Sequence, residues 1–251
     1  MRKSSIKVQI RNESILKRIE ALKTEHPFWG YRRIWAHLNF IDKMSVNKKR
    51  VLRLMKKHQL IVSTETKLKA RRVSDRPKPR AQKPNEIYGI DMTKIKLEHE
   101  GWAYLVLVID WYTKKIVGHT LDDRSKSSHW LSALNQAACL QCPEGTRGKG
   151  IKLVSDNGCQ PTSVAFMKAT SLMGIEQIFT SYNNPKGNAD TERLFRTIKE
   201  EVVWTREYQS LPQLEKAVDE WIRYYNMQYL HSSLGYKSPM QIEQEYKGKA
   251  A

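Results

Sequence analysis

Asp91, Asp156 and Glu192 are the residues of this 251-residue chain whose type and placement could do chemistry. Asp91 sits within Tyr88-Gly89-Ile90-Asp91-Met92-Thr93, the centre of a stretch that alternates as a strand, where Asp is a poor strand former. Asp156 directly follows the apolar run Ile151-Lys152-Leu153-Val154-Ser155 and precedes Asn157-Gly158, so it projects from a strand end into a turn. Glu192 falls near the start of a helical stretch. Arg196 and Lys199 share its face there, while Phe195, Ile198 and Val202 form a separate apolar stripe. Taken singly, each acid has an ordinary explanation: a satisfied strand acid, an Asx turn, a charge favoured by a helix N-terminus. Jointly they suggest more, because converging carboxylates repel one another unless hard cations neutralise them. Mg²⁺ prefers oxygen ligands and keeps waters for exchange with substrate phosphates. Two such ions about 4 Å apart activate the attacking oxygen and stabilise the leaving one in phosphoryl transfer.

The elements that must hold these residues follow from hydrophobic periodicity. Strands are expected at 87–97, 102–110 and 116–121, with turns around Gly101 and Lys114-Lys115 making an antiparallel meander. A helix at 127–139, a buried strand at 151–155, a helix at 163–173 and a strand at 176–180 follow, then helices at 188–203 and 211–227. The order is that of an α/β layer architecture.

The first sixty residues read instead as three short helices. Ile15, Ile19 and Leu22 mark the first; Tyr31, Ile34, Trp35 and Leu38 the second; Val51, Leu54, Met55 and His58 the third. Gly30 and the stretch around Phe40 break them, and Ser45 is the expected N-cap of the third. Lys49, Arg53 and Lys56 form a basic stripe on that third helix, as a helix-turn-helix recognition helix requires; a three-helix bundle with a basic exterior is the alternative. Residues 62–84 hold eight basic residues and Pro77, Pro79 and Pro84, which makes them an extended linker whose Arg71, Arg72 and Arg80 could track a DNA backbone. The expected domains are thus 1–61, a linker at 62–84, and 85–251.

Charge supports that division. The net charge is +18, and residues 1–80 hold 23 Lys or Arg against 6 Asp or Glu, whereas the rest hold 21 against 20. An excess concentrated in one third of the chain favours a polyanion partner, and nucleic acid is the first candidate because neutralising phosphates releases counterions. A membrane surface is the weaker option, with no apolar-faced interfacial helix beside the charge. The apolar run that contains 104–109 is far short of the roughly 20 residues of a membrane span, and the basic N-terminus lacks the apolar stretch of a signal peptide. Three cysteines, an odd number, fit a reducing cytoplasm. Cys139 and Cys142 look like half a zinc site, but Cys159 is the remaining cysteine, and zinc is not expected.

The gap of 35 residues between Asp156 and Glu192 resembles the D,D(35)E pattern of retroviral-integrase-like transposases. So do Tyr88-Gly89-Ile90-Asp91-Met92-Thr93, Val108-Ile109-Asp110, Ser155-Asp156-Asn157-Gly158-Cys159-Gln160 and Gly187-Asn188-Ala189-Asp190-Thr191-Glu192 with Lys199 beyond it. Tyr225-Asn226 and His231-Ser232-Ser233-Leu234-Gly235-Tyr236-Lys237-Ser238-Pro239 match the tail, and His26-Pro27-Phe28-Trp29-Gly30-Tyr31 and Val46-Asn47-Lys48-Lys49-Arg50 match the preceding helix-turn-helix module. The resemblance, over about residues 12–246, is to the OrfB-type catalytic part of bacterial insertion-sequence transposases that move by copy-out–paste-in.

It implies a ribonuclease-H-like fold, a mixed five-stranded sheet flanked by helices, behind a small all-α helix-turn-helix domain. Asp91, Asp156 and Glu192 would bind two Mg²⁺ ions, with Mn²⁺ substituting. Water would nick a transposon end to expose a 3′-OH, which would then attack a second phosphodiester without a covalent enzyme intermediate. Lys199 is placed to contact terminal phosphates (a solvent-facing lysine is the alternative), Arg196 shares its face, and the loop 181–187 is a candidate mobile element. Asp110 also has a family counterpart, one that is not a metal ligand. His26, His37 and His58 without any cysteine depart from the zinc-binding N-terminal domain of retroviral integrases, so packing alone should hold this module; His231 is expected to be structural. The implied partners are double-stranded DNA, as terminal repeats and target, and further copies of the chain, in a cytoplasmic, nucleoid-associated protein. The family's catalytic frame is commonly fused by frameshifting to an upstream frame with a leucine zipper. No heptad seam appears in this sequence, so the chain is expected to need the fused product or a partner for full activity. A catalytically inactive, domesticated DNA-binding relative and a ribonuclease-H-type nuclease without strand transfer are the competing readings.

Overall fold

The computed structural model describes residues 6–62, 80–180 and 188–250. The chain divides into two compact units between Arg71 and Arg72, within the segment expected to be a linker; residues 63–79, with Arg71 and Arg72, and residues 181–187 lie outside the described residues.

The first unit contains α1 (Ile6–Glu25), α2 (Tyr31–Ala36), which widens into a π-helical turn at His37–Ile41, and α3 (Lys48–Lys57). Ile15, Ile19, Leu22, Trp29, Ile34, Leu38, Val46, Val51, Leu54 and Met55 form its core, largely the residues singled out by helical spacing. Packing is reinforced by a two-pronged pair in which Arg18 Nε and Nη2 donate to the Asp42 carboxylate at 2.8 and 2.9 Å. Asn39 fixes the turn before α3: its Nδ2 donates to Trp35 O and Val46 O, and its Oδ1 accepts from Val46 N.

Three expectations need correcting here. The first helix is long, 20 residues, because helix-forming Lys, Arg and Glu extend it beyond the part with a packed stripe. The N-cap of α3 is Asn47, whose side chain accepts from Lys49 N, rather than Ser45, which lies too far upstream to reach the first turn. His58 is exposed at the C-cap, where the chain leaves the helix, and takes no part in the core.

The second unit is built on a five-stranded sheet in the order β3-β2-β1-β4-β5. The strands are β1 (Ile87–Leu97), β2 (Gly101–Asp110), β3 (Ile116–Asp122), β4 (Lys152–Ser155) and β5 (Glu176–Phe179). The first three pair antiparallel, from Tyr88↔Asp110 to Leu97↔Gly101 and from Tyr104↔Asp122 to Ile109↔Ile116. β4 pairs parallel with both β1 and β5. The turns fall at Gly101 and Lys114, both with positive φ. The helices are α4 (Ser127–Gln141), α5 (Val164–Leu172), α6 (Ala189–Ile198) running into a π-helical turn at Lys199–Val203, α7 (Leu211–Gln228) and α8 (Pro239–Ala250).

Strand alternation sorts side chains onto two faces. Ile87, Ile95 and Leu97 of β1 and Ala103, Leu105, Leu107 and Ile109 of β2 pack with α6 and α7 residues such as Leu194, Phe195, Ile198, Leu214 and Val218. Tyr88, Ile90, Val106 and Val108 turn the other way, against Trp130, Ala133, Leu134 and Ala137 of α4 and Phe166 of α5. A sheet buried on both faces explains why β2 reads as an almost unbroken apolar run. Helix α4 lies so close to β3 that a Cβ at Gly118 would fall 2.1 Å from Ala133 O.

Helix α8 escaped the periodicity reading because it is mostly polar. Its start nevertheless has a local signal: Ser238 Oγ accepts from Gln241 N at 3.3 Å, and Gln241 Oε1 accepts from Ser238 N at 2.8 Å, a reciprocal capping box with Pro239 at the first helical position. Lys115 Nζ donates to the buried Glu243 carboxylate at 2.5 Å, tying α8 to the β2–β3 turn.

Stability of the first unit should depend on pH in two separate windows. His26 stacks on Trp29 at 3.8 Å, and its pKa falls from 6.5 to about 4, chiefly by burial, with Glu25 opposing and His37 and Arg33 adding. The unfolded chain therefore binds the proton more readily, and stability is lost as pH falls from 6.5 towards 4. Asp42, held below its usual range mainly by its Arg18 hydrogen bond, adds a further loss at more acidic pH. Amide exchange of core positions such as Leu22 and Met55 at stepped pH checks this; His26→Phe should flatten the upper window and leave the lower one.

Candidate active site

Asp91 lies in the middle of β1, and by alternation its side chain shares the sheet face of Ile87 and Ile95, the face covered by α6. It is half-buried, and one carboxylate oxygen accepts from Met92 N at 2.8 Å. Its pKa rises to about 6. Burial is the main cause, opposed by the Met92 N–H; the negative charges of Asp156 and Glu192 raise it further, and Lys199 lowers it. Asp156 comes near Asp91 through the sheet, and Glu192 and Lys199 through α6 and the turn that continues it. Tyr88↔Leu153 and Gly89↔Val154 pair in parallel register, so Asp156, one residue past the end of β4, leaves the sheet alongside the β1 segment that carries Asp91.

Asp156 is exposed just past β4, and one of its oxygens accepts from Gly158 N at 3.1 Å. It is an Asx-turn residue as well as a candidate ligand, so the ordinary explanation and the chemical one coexist. Its neighbour Asn157 donates to Thr180 O at 3.0 Å, fastening the turn to the end of β5. Glu192 is exposed in the first turn of α6. Just ahead of that helix, Asn188 is 5% exposed and its Oδ1 has no hydrogen-bond partner among the described residues. As placed, no three His, Cys, Asp or Glu side chains among the described residues stand close enough together to hold a metal ion. The three acids share an electrostatic neighbourhood rather than a closed cluster.

What holds Glu192 in that neighbourhood is a contact that periodicity could not reveal. A Cβ at Gly89 would fall 2.2 Å from Thr191 Oγ1 and 2.4 Å from Trp111 Nε1, so only glycine lets α6 approach β1 this closely. Thr191 is fully buried and accepts from Trp111 Nε1 at 3.4 Å. One residue earlier, Asp190 pairs with Lys114 Nζ at 3.2 Å, and that lysine also donates to Trp111 O at 2.6 Å. Gly89, Trp111, Lys114, Asp190 and Thr191 thus form a seat for the first turn of α6. The available signal in the sequence was a glycine inside a strand two residues from a candidate acid, which marks a close backbone approach.

The remaining candidates separate clearly. Lys199 is half-buried at the start of the π-helical turn and acts electrostatically on Asp91, whereas Arg196 is exposed and pairs with Glu200 at 2.8 Å. Lys49, Arg53 and Lys56 are exposed on α3, away from buried Val51, Leu54 and Met55. Arg80 is exposed. Asp110 is buried, on the face opposite Asp91; its carboxylate accepts from Thr113 Oγ1 at 2.6 Å and from Tyr112 N and Thr113 N at 3.2 Å, so it braces the β2–β3 turn. His231 packs its ring against Tyr225 and Tyr229. Cys139 and Cys159 are exposed and Cys142 is buried, all as free thiols.

Two integrase core domain models match residues 81–185 and 173–239, and an HTH-like domain model matches residues 9–67. An uncharacterized 39.2 kDa protein of insertion element IS476 from Xanthomonas euvesicatoria is 30% identical over 240 residues, covering 95% of this chain and 67% of that protein. The transposase of IS904 from Lactococcus lactis is 28% identical over 255 residues, covering 97% and 98%. The chain belongs to the insertion-sequence transposases with an integrase core domain. A putative transposase of IS986/IS6110 from Mycobacterium tuberculosis is 26% identical over 230 residues, covering 87% of this chain and 82% of that protein. Among solved structures, a chain of the simian T-cell lymphotropic virus intasome, determined in complex with PP2A regulatory subunit B56 gamma, superposes with a TM-score of 0.55 at 17% identity, over 90% of this chain and 74% of that one. That likeness is one of fold, and with the mixed sheet described above it makes the transposase's second unit ribonuclease-H-like. As a DNA transposase of this family, the protein is an enzyme of the DDE polynucleotidyl transferase class.

The α6 seat makes a prediction for this transposase. Gly89→Ala should overpack the contact, destabilise the protein by about 1–3 kcal/mol in chemical denaturation, and reduce DNA cleavage at temperatures where it remains folded. Thr191→Ser, which keeps the hydroxyl, should retain both stability and cleavage. Equal cleavage by Gly89→Ala and the parent protein would show that α6 need not approach β1 so closely.

Proposed function

We propose that Asp91, Asp156 and Glu192 are the catalytic carboxylates of this transposase, and that the site nicks transposon ends to expose a 3′-OH and then transfers that hydroxyl to a second phosphodiester. The observation that carries the reading is the placement of the three acids. Asp91 is half-buried in the middle of β1, Asp156 directly follows the neighbouring parallel strand, and Glu192 lies in the first turn of the helix seated on β1. Burial and the other two charges raise Asp91 to about 6. Three carboxylates offer only oxygen donors, the set that suits Mg²⁺ or Mn²⁺, and the accumulated negative charge is what a divalent cation would relieve. Asp91, Asp156 and Glu192 would therefore hold the metal, in a pair of ions. Bound there, such ions would favour the attacking oxygen and the departing one of an in-line displacement.

In the nicking step, a water oxygen forms a bond to phosphorus, the bond from phosphorus to the 3′ oxygen breaks, and that oxygen leaves as a hydroxyl. In transfer, the freed 3′ oxygen bonds to a second phosphorus and a new 3′-OH departs, so one phosphodiester replaces another. The chain's own task is positioning and charge neutralisation. Lys199, already close enough to act on Asp91, would take a terminal phosphate, and Arg196 would lie along the same DNA. Lys49, Arg53 and Lys56 on the exposed face of α3 would engage the duplex, while Arg71, Arg72 and Arg80 would follow its backbone between domains spanning 1–61 and 85–251.

Two transposon ends must be brought together, so we propose a homo-oligomer assembled on DNA, acting in the cytoplasm at the nucleoid. Among the described residues no helix is long and apolar enough to cross a membrane. Full activity would need an upstream-frame protein or a frameshift fusion to supply a second DNA grip.

The test uses labelled duplex carrying the element's own ends with Mg²⁺ or Mn²⁺. Asp156→Asn should reduce nicking by at least about a hundredfold while end binding stays within a few-fold of the parent protein. Nicking that survives this change would remove Asp156 from the site.

A further inference from the structure

We propose that the cleft between α1 and α3, lined by Arg11, Asn12, Asn47, Arg50 and Arg53, binds a single backbone phosphate of duplex DNA. The inference deepens the DNA-gripping role given above to the first unit, and rests on it. Its volume is about 270 Å³, many times the roughly 30 Å³ share of one water molecule.

Three guanidinium groups border this space, and among the described residues none of them pairs with a carboxylate. Arg18, on the same helix α1, shows the contrast, because Asp42 neutralises it. Arg50 is also aimed. Its Nε and Nη2 both donate to Asn12 Oδ1, at 2.8 and 2.6 Å, which fixes the plane of the guanidinium and leaves further N–H donors of its five for a ligand. A neutral amide as the anchor is informative: it orients the arginine without cancelling its charge. Arg50 is pulled below the usual arginine range by burial and by the neighbouring charges of Arg11 and Arg53, with no acid offsetting them. Like charges held together in this way gain when an anion enters, and a planar guanidinium fork matches phosphate oxygens. The cleft also opens at the start of α3, whose first turn carries no acidic residue and whose N-terminal N–H groups favour negative charge.

A phosphate held here would fix the register of α3 on the duplex while carrying no sequence information itself. Arg53 then acts on the backbone, and Lys49 and Lys56 are left as the outward members of the stripe.

The full-length protein is titrated with two short duplexes of unrelated sequence over a range of salt. Arg50→Gln and Arg11→Gln should each weaken both duplexes alike, by about tenfold, and lower the slope of log K against log salt by about one. Arg11 is exposed, so its variant reports binding even if Arg50→Gln disturbs the fold. A methylphosphonate walked along the duplex should reveal a linkage whose neutralisation costs the parent protein affinity and leaves Arg50→Gln indifferent. Unchanged salt slopes in both variants, a loss confined to one sequence, or a methylphosphonate effect equal in parent and variant would each overturn the phosphate site. A parent protein that binds neither duplex would overturn the DNA-gripping role itself, a different failure from arginine variants that prove silent.

Discussion

The acidic neighbourhood depends on how closely α6 can sit on β1. Strand β1 is the hub of the sheet, paired antiparallel on one side and parallel on the other. Without α6 its central acid would keep Asp156 near it and lose Glu192. The missing side chain at Gly89 removes the obstacle, buried Thr191 fills the space, and the Lys114–Asp190 pair sets the entry of the helix. A glycine within a strand weakens it locally, and ten register pairs with β2 compensate. Geometry at the acids is therefore bound to packing several residues away.

Strand alternation does a second piece of sorting. Asp91 and Asp110 lie on neighbouring strands, and both have raised pKa values with burial as the main cause. Their surroundings differ in kind. Asp110 is enclosed by donors from Thr113, Tyr112 and Asn85 that stabilise its charge and brace a turn. Asp91 has one backbone donor and two acidic neighbours, with the positive charge of Lys199 acting against them. The first arrangement is satisfied by the protein alone, whereas the second leaves negative charge for something else to meet. The two units divide charge similarly, residues 1–71 holding 19 Lys or Arg against 5 Asp or Glu and so most of the net +18.

Legibility in the sequence followed the range of the interactions. Strands β1 to β5 and helices α4 to α7 announced themselves through local periodicity, and the turns at Gly101 and Lys114 through local chemistry. The apolar stripe of Phe195, Ile198 and Val202 is buried where helical spacing put it. Effects two or three residues wide were harder: Asn47 rather than Ser45 caps α3, because the cap depends on where the chain turns out of extended conformation. The π-helical turns at His37–Ile41 and Lys199–Val203 leave the apolar pattern nearly helical and so were invisible. Least legible were contacts distant in sequence. Neither Thr191 nor Trp111 shows which residue it meets until the sheet is assembled, and the arginines of the α1–α3 cleft lie on two separate helices. The motif resemblance singled out the acids themselves, and the alternation and register around Asp91 supply the physical reason that those positions can share a neighbourhood.

The bond between Trp111 and Thr191 spans 80 residues. Closing so long a loop carries an entropic cost that the neighbouring β1–β2 hairpin largely avoids. Synthesis runs from the N-terminus, so the ribosome has already made the basic unit and all five strands before the first residue of α6 exists. During that interval the growing chain has two of the three acids and none of the helix that brings the third. Order of synthesis alone thus places the capacity to hold a polyanion ahead of the assembled acidic neighbourhood.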